Sequence, residues 1–247
     1  MTLDHRETEA PCTRPFLITF SGIDGAGKTT QIERVTSYLK NRGLRVLRLS
    51  FWDHVAVWSQ MRTGVGDCAV EAGDAQISER SFTPKNNKHI RKWYLTAARS
   101  GFYVLDVARL RRILSRAKGF DVVIFDRYVY DQIANIYSQS FAARAYARIL
   151  LYETPAPDLA FILDASPDAA FARKPEYPLE FMHRNRQRFL QLRELVPQFI
   201  VVPDAAVEEV WSEISFHLDQ SRLAQRILKE ETGVSAARRS SPVAEFL

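Results

Sequence analysis

The chain has 247 residues, 46% of them hydrophobic and 26% charged, with a formal net charge of +5. That length and apolar content suit one large α/β domain with a sizeable core, and the modest positive balance suits anionic ligands without arguing for nucleic acid. Two cysteines (Cys12 and Cys68) with no C-x-x-C pair, and five scattered histidines, suggest neither a disulfide framework nor a metal-binding cluster.

In chain order, Met1–Arg14 is polar and carries Asp4, Glu7 and Glu9 without an apolar stretch, so it reads as a mobile tail and not as a secretory signal. Phe16-Leu17-Ile18-Thr19-Phe20 is an apolar run of strand length, and Ile32, Val35, Tyr38 and Leu39 fall at helical spacing within 31–42. Between them lies Gly22-Ile23-Asp24-Gly25-Ala26-Gly27-Lys28-Thr29, a complete G-x-x-x-x-G-K-T phosphate loop in its proper context of strand, loop and helix. Glycines there let successive backbone N–H groups converge on phosphate oxygens, and the helix N-terminus adds partial positive charge. The motif predicts binding of a nucleoside triphosphate. Gly22, Asp24, Gly25, Ala26, Gly27, Lys28, Thr29 and Thr30 line it; Lys28 reaches the outer phosphates and the Thr29 hydroxyl ligates Mg²⁺.

Beyond the loop, Arg45–Ser50 reads as a second strand after the stop at Asn41-Arg42-Gly43. Residues 64–87 lack periodicity and read as a long loop. Trp93–Lys118 is helical, with Arg109, Arg111, Arg112 and Arg116 on a solvated face, and Gly119 ends it. Asp121–Phe125 is a continuous apolar run after its first residue, as expected of a central parallel strand. Val129–Tyr152 is helical, Leu159–Leu163 a fourth strand, 179–195 helical, Phe199–Val202 a fifth strand and Val207–Glu230 an amphipathic helix; 232–247 reads as a second tail. Strands alternating with helices predict a three-layer α/β/α P-loop fold around a five-stranded parallel sheet, spanning 15–231. Ligands then sit beyond the carboxyl ends of the strands, which selects Gly22–Thr29, Phe51–His54, Asp126–Tyr128, Asp164 and Asp204. No apolar run reaches the length of a membrane span, and the expectation is a cytoplasmic protein.

Asp126-Arg127-Tyr128 stands at the end of the third strand. An acidic residue there can complete the Mg²⁺ shell beside a phosphate-loop threonine, and Arg127 offers a fork for a phosphate. The competing reading pairs Asp126 and Arg127 with each other.

Together these motifs resemble the thymidylate kinase family of P-loop nucleoside monophosphate kinases. The resemblance runs from about Phe16 to Leu218, through the phosphate loop continued to Gln31, the Asp126-Arg127-Tyr128 triplet, Pro157-Asp158-Leu159, Leu163-Asp164, Pro167 to Arg173, Glu180-Phe181, Arg184-x-Arg186 and Val201-Val202-x-Asp204. It implies transfer of the ATP γ-phosphoryl group to a nucleoside monophosphate. Lys28 and the loop would hold the donor and Thr29 with Asp126 would organise Mg²⁺. Asp24 would contact the acceptor sugar and Arg127 the acceptor phosphate, with Tyr128, Arg99 and Phe51 also on the acceptor side. Some family members carry an arginine inside the loop; this chain has Ile23-Asp24-Gly25-Ala26 there, so the catalytic cation must come from a lid at about 172–181. Arg173 and Lys174 are the candidates, with Arg184 and Arg186 behind them; Pro175 and Pro178 mark a short lid.

The acceptor side departs from the family. An arginine and proline usually follow the second strand, where this chain has Ser50-Phe51-Trp52-Asp53-His54; Arg48 is a possible substitute. Phe51 and Trp52 either stack on a base or pack beneath the loop. Asp131 replaces a common serine, and Asn135-Ile136 an aromatic–glutamine pair, so base preference is expected to move. The leading reading is a thymidylate-kinase-like enzyme using ATP and Mg²⁺, with a small-molecule nucleotide substrate and no nucleic-acid or membrane partner. The alternatives are a kinase of a nucleoside or other small metabolite, and a non-catalytic ATP-binding or sensing protein. The helices containing Phe102, Leu105 and Val107 and residues 137–151 serve either a homodimer or the core.

Overall fold

A computed structural model describes residues 14–56, 88–136 and 141–224. The two expected tails, apart from Arg14, and the 64–87 loop lie outside the described residues. In chain order the elements are β1 (Phe16–Ser21), α1 (Lys28–Lys40), β2 (Val46–Ser50), a single π turn at Phe51–Val55, and α2 (Lys88–Arg116). Next come β3 (Val122–Asp126), α3 (Val129–Ile136), α4 (Phe141–Glu153), β4 (Leu159–Asp164), α5 (Pro167–Arg173), α6 (Leu179–Gln191), β5 (Phe199–Pro203) and α7 (Val207–Gln220).

The five strands form one sheet in the order β2-β3-β1-β4-β5, and all four pairings are parallel. This is the expected α/β architecture. β1 is central because every residue of FLITFS is buried, which only a strand covered by helices on both faces can satisfy. Alternation divides its side chains. Leu17 joins Val123, Phe125, Ala160 and Ile162 in the cluster shared with residues of α2, α3, α4 and α6. Phe16, Ile18 and Phe20 join Val122, Ile124, Phe161 and Leu163 in the cluster under α1 and α7. Three layers follow from that period of two.

The register places the ligand-bearing strand ends side by side: Phe20 lies opposite Asp126 of β3 and opposite Phe161 of β4, and Ser50 of β2 also faces Asp126. Chain direction across the sheet reverses at β1, since β2 and β3 lie on one side and β4 and β5 on the other. The crevice at such a reversal is where open α/β sheets receive ligands.

Two expectations on element ends are corrected. Within the stretch expected to be helical over Val129–Tyr152, Val129–Ile136 and Phe141–Glu153 are helical, and residues 137–140 lie outside the described residues. The helix expected over 179–195 is regular only to Gln191 and tightens into a 3₁₀ turn at Leu192–Glu194. The closing helix ends at Gln220, because Ser221 is extended, its hydroxyl donates to Leu218 O (2.6 Å) and accepts from the Leu223 amide (3.2 Å). Residues 225–230 of that expected helix lie outside the described residues. Among the described residues no helix is long and apolar enough to cross a membrane.

Phe20 and Phe161 stack across β1 and β4 with ring centroids 5.2 Å apart, both fully buried. Replacing Phe161 by Ala is expected to cost about 3–5 kcal/mol, read as a lower midpoint in urea unfolding. A loss under about 1 kcal/mol would mean that the stack is not part of the core.

Candidate active site

The turn after β1 is shaped by two close backbone approaches. Gly22 has φ 137°, and a Cβ placed on it would lie 2.6 Å from Leu163 O of β4. Gly25 has φ 80°, and its Cβ would lie 2.6 Å from Ala170 O of α5. Only glycine accepts both the dihedral and the contact. Gly27, at φ 82°, is the N-cap of α1, and no side chain caps that helix; its first turn holds no acidic residue. The opening amide groups of α1 are therefore available to an anion at the positive end of the helix dipole. Lys28, the first residue of α1, is buried, and its Nζ donates to Gly22 O (2.9 Å) and Ile23 O (2.8 Å). Burial lowers its pKa to about 8, helped by Arg127 and opposed by Asp24, Asp131 and Asp126.

Asp126 ends β3. Its Oδ1 is buried and has no hydrogen-bond partner. Asp126 and Thr29 both line a cleft of about 610 Å³. An orphaned carboxylate oxygen beside a threonine hydroxyl fits a hard, oxygen-liganded cation such as Mg²⁺, which takes one or two protein carboxylates and completes its shell with water and phosphate. Among the described residues the Arg127 side chain bonds to Asp24 and Asp131 rather than to Asp126, against the reading in which Asp126 and Arg127 pair with each other.

Arg127 sits at φ 62°, a left-handed conformation unusual for a residue with a Cβ, and its amide donates to Phe20 O (2.9 Å). Its guanidinium lies between two carboxylates: Nη2 donates to Asp24 and Nη1 to Asp131 Oδ1 at 3.3 Å. Asp131 also accepts from Ser21 Oγ (2.7 Å) and from the Tyr128 amide (3.1 Å). Burial pushes the Asp131 carboxyl up, while Arg127, Ser21 and the Tyr128 amide pull it down. Asp131, the residue on which a moved base preference was argued, lies behind Arg127 and off the wall of this cleft.

Two residues expected on the acceptor side, Tyr128 and Phe51, are buried. Tyr128 is fully buried, its ring 5.4 Å from that of Phe125 and 5.2 Å from that of Tyr130, and its hydroxyl donates to Pro155 O (2.6 Å). Phe51 is also fully buried, edge-on to Trp52 at 5.9 Å. Both belong to the core rather than the cleft wall. Arg48 is exposed on β2. Arg99 falls on α2, and its side chain, like those of Asn135 and Ile136, lies outside the described residues.

On the far wall, Arg173 at the end of α5 donates from Nε to Ala169 O (3.1 Å), and its Nη2 stands 3.9 Å from Asp204. Lys174 pairs with Glu176 at 3.0 Å, and both Arg173 and Lys174 line the cleft. Arg184 pairs with Glu180 at 3.2 Å along the surface of α6. Arg186 makes a bidentate pair with Asp164 at the end of β4, at 2.6 and 2.8 Å. That clamp and the Asp131–Arg127 contact were not read as pairs in the sequence. The one available signal was Asp164 at a strand end, which needed an identified cation partner.

A parallel α/β sheet with an uncapped helix N-terminus, a buried lysine and a glycine loop at its central strand defines a P-loop nucleotide-binding protein. No protein-family model matches the sequence. The chain is 30% identical over 178 residues to the thymidylate kinase of Chlorobium luteolum, covering 70% of this chain and 74% of that one. It is 28% identical over 209 residues to the thymidylate kinase of Bifidobacterium longum subsp. infantis (80% and 83% covered), and 24% identical over 213 residues to a probable thymidylate kinase of Pyrococcus horikoshii (81% and 94%). The fold is similar to the crystal structure of thymidylate kinase from Ehrlichia chaffeensis, with TM-score 0.50, 21% identity and 84% of this chain covering 100% of that one. This chain belongs to the thymidylate kinase family.

Substituting Ala at Gly22 is expected to lower stability by about 1–3 kcal/mol, from the strained dihedral, and to weaken ATP binding by displacing the loop from β4. Urea unfolding and nucleotide titration check this; unchanged values in both would show that the Leu163 contact does not shape the loop.

Proposed function

We propose that the chain transfers the γ-phosphoryl group of ATP to a nucleoside monophosphate, dTMP in the first instance, yielding dTDP and ADP. The observation that carries this reading is the presence, in the lining of one cleft, of two anion stations. Lys28 with the α1 amides forms one; the Arg127 fork forms the other, with Thr29 and Asp126 also on the wall. A single nucleotide-binding module needs only the first. The relatives named thymidylate kinase favour dTMP as acceptor.

In this reading the loop amides and Lys28 hold the donor phosphates, and Arg127 holds the acceptor phosphate while Asp24 contacts the acceptor sugar. Thr29 and Asp126 would hold Mg²⁺, which neutralises charge on the donor phosphates. Phosphoryl transfer asks little covalent chemistry of the protein, so alignment and cations around the moving group are the main contributions. No cation stands at 23–26 of the loop. Arg173, whose 3.9 Å pairing with Asp204 is loose, supplies the charge from the lid, with Lys174 beside it. The kinase domain is 15–231, the lid about 172–181, and the compartment the cytoplasm. Self-association belongs to the same reading: Val104 and Leu105 on α2, and Phe141, Ile149 and Tyr152 on α4, are exposed, and Arg111–Glu153 at 2.7 Å joins the two helices. A dimer of the 28.3 kDa chain is expected in sedimentation equilibrium, split by Ile149→Asp.

The deciding experiment is ADP release from Mg-ATP with a panel of monophosphates and nucleosides. Transfer to dTMP is expected, with Lys28→Ala lowering turnover by about 10²-fold or more. Transfer to a different acceptor would move the specificity, and ATP binding without transfer to any acceptor would overturn the reading in favour of a binding-only role.

A further inference from the structure

We propose that Asp131 is the positioning residue of the acceptor station: it holds the inner edge of the Arg127 guanidinium so that Asp24 can surrender the outer edge to the acceptor's phosphate. This rests on the phosphoryl-transfer reading above.

The two carboxylates on Arg127 are not equivalent. Asp24 belongs to the phosphate loop, lines the cleft and keeps 23% of its side chain exposed. Asp131 keeps 4%, does not line the cleft, and is tied by Ser21 Oγ at the end of β1 and by the Tyr128 amide in the turn after β3. An incoming phosphate monoester therefore meets Asp24 first. It carries more negative charge than a carboxylate and matches the guanidinium fork, so exchange on the outer edge is favourable once the two compete in a partly desolvated site. Exchange on the inner edge is blocked by the core. The result is a directed ligand swap, in which one Arg127 partner leaves and the other stays.

The alternative holders of Arg127 are weaker. Its backbone is anchored by the amide bond to Phe20 O, but at φ 62° that anchor sets only where the side chain starts. Lys28 is a like charge whose Nζ is already engaged by two loop carbonyls. Asp126 is opposite in sign and contributes attraction, but its Oδ1 has no hydrogen-bond partner. Without Asp131, the guanidinium would retain Asp24 as its hydrogen-bonded carboxylate partner. The buried half of the cation would lose its compensation, and the Asp24 pair would tighten against the phosphate that must displace it. Asp131 places on the inner side of the fork a charge that a hydroxyl at this position would lack.

The test is calorimetric binding of dTMP, and of deoxyribose 5-phosphate as a base-free probe, together with steady-state kinetics. Asp131→Asn keeps the shape of the side chain and an acceptor oxygen but removes the charge; Asp131→Ser is the second variant, and ATP affinity reports on folding. Both are expected to weaken monophosphate binding, and to raise the acceptor KM, by about 10-fold or more. The KM for ATP and kcat are expected to move by less than about 3-fold. In the background of Arg127→Ala, Asp131→Asn should add no further loss, because it acts through that residue. Equal losses for ATP and monophosphate would mean a merely structural role and overturn the proposal, as would wild-type binding by Asp131→Asn or additive losses in the double variant. A wild-type protein that binds monophosphates through Arg127 yet transfers nothing would defeat the proposed reaction while upholding Asp131; one that binds no monophosphate would overturn Asp131's role.

Discussion

Parallel pairing of β1 with β3 on one side and β4 on the other is the constraint on which the rest of the molecule depends. It brings Phe20 level with Asp126, so that the Phe20 carbonyl takes the Arg127 amide as the chain leaves β3. It also sets Leu163 O against Gly22, which turns the chain sharply away from the sheet and into α1. Even the approach to β4 is tied to this strand: the Asp158 carboxylate accepts from the Leu17 amide at 2.8 Å and pairs with Arg14. A parallel sheet buried on both faces tolerates no slip, because a one-residue shift would exchange Phe16, Ile18 and Phe20 for Leu17 and Thr19 between its two cores.

The cleft that results is a place where each cation already has a protein partner. Lys28 is solvated by two loop carbonyls, Arg127 by two carboxylates, Lys174 by Glu176, and Arg173 by Ala169 O with Asp204 at the edge of reach. Charges removed from water need such compensation, and an anionic ligand must displace some of it. The pairings differ in how readily they yield. The bidentate Arg186–Asp164 clamp ties α6 to the end of β4, whereas the Arg173–Asp204 pair is long and half exposed. Discrimination between fixed and exchangeable partners thus comes from depth and geometry, since the residue types are the same.

The burial of Tyr128, Phe51 and Asp131 has a common origin in the geometry of turns. Tyr128 follows directly on Asp126 and Arg127, and the family resemblance implies a place for it on the acceptor side. But Arg127 is left-handed, and the turn sends the Tyr128 ring into the core, where Pro155 O takes its hydroxyl. Phe51 follows β2 as a cleft residue would, yet the π turn closes over it and packs it against Trp52. Asp131 lies one helical turn past Arg127 and points back beneath it, a geometry that exists only once α3 starts at Val129.

The sequence by itself determined the phosphate loop, the order of strands and helices, and the acidic and basic groups delivered to the strand ends. These are local properties: a fixed glycine spacing, a period of two or 3.6, and a strand end that must face the crevice of a parallel sheet. Only the tertiary structure decided which charge answers which. Ser21 and Asp131 are 110 residues apart, Asp24 and Arg127 are 103 apart, and Arg186 reaches Asp164 from another helix. Such pairings depend on distances of a few ångströms between separate elements and on the direction of each side chain at a turn. Neither quantity is encoded in spacing along the chain, because burial and backbone dihedral, set by the packed sheet, choose between a side chain in the cleft and one in the core.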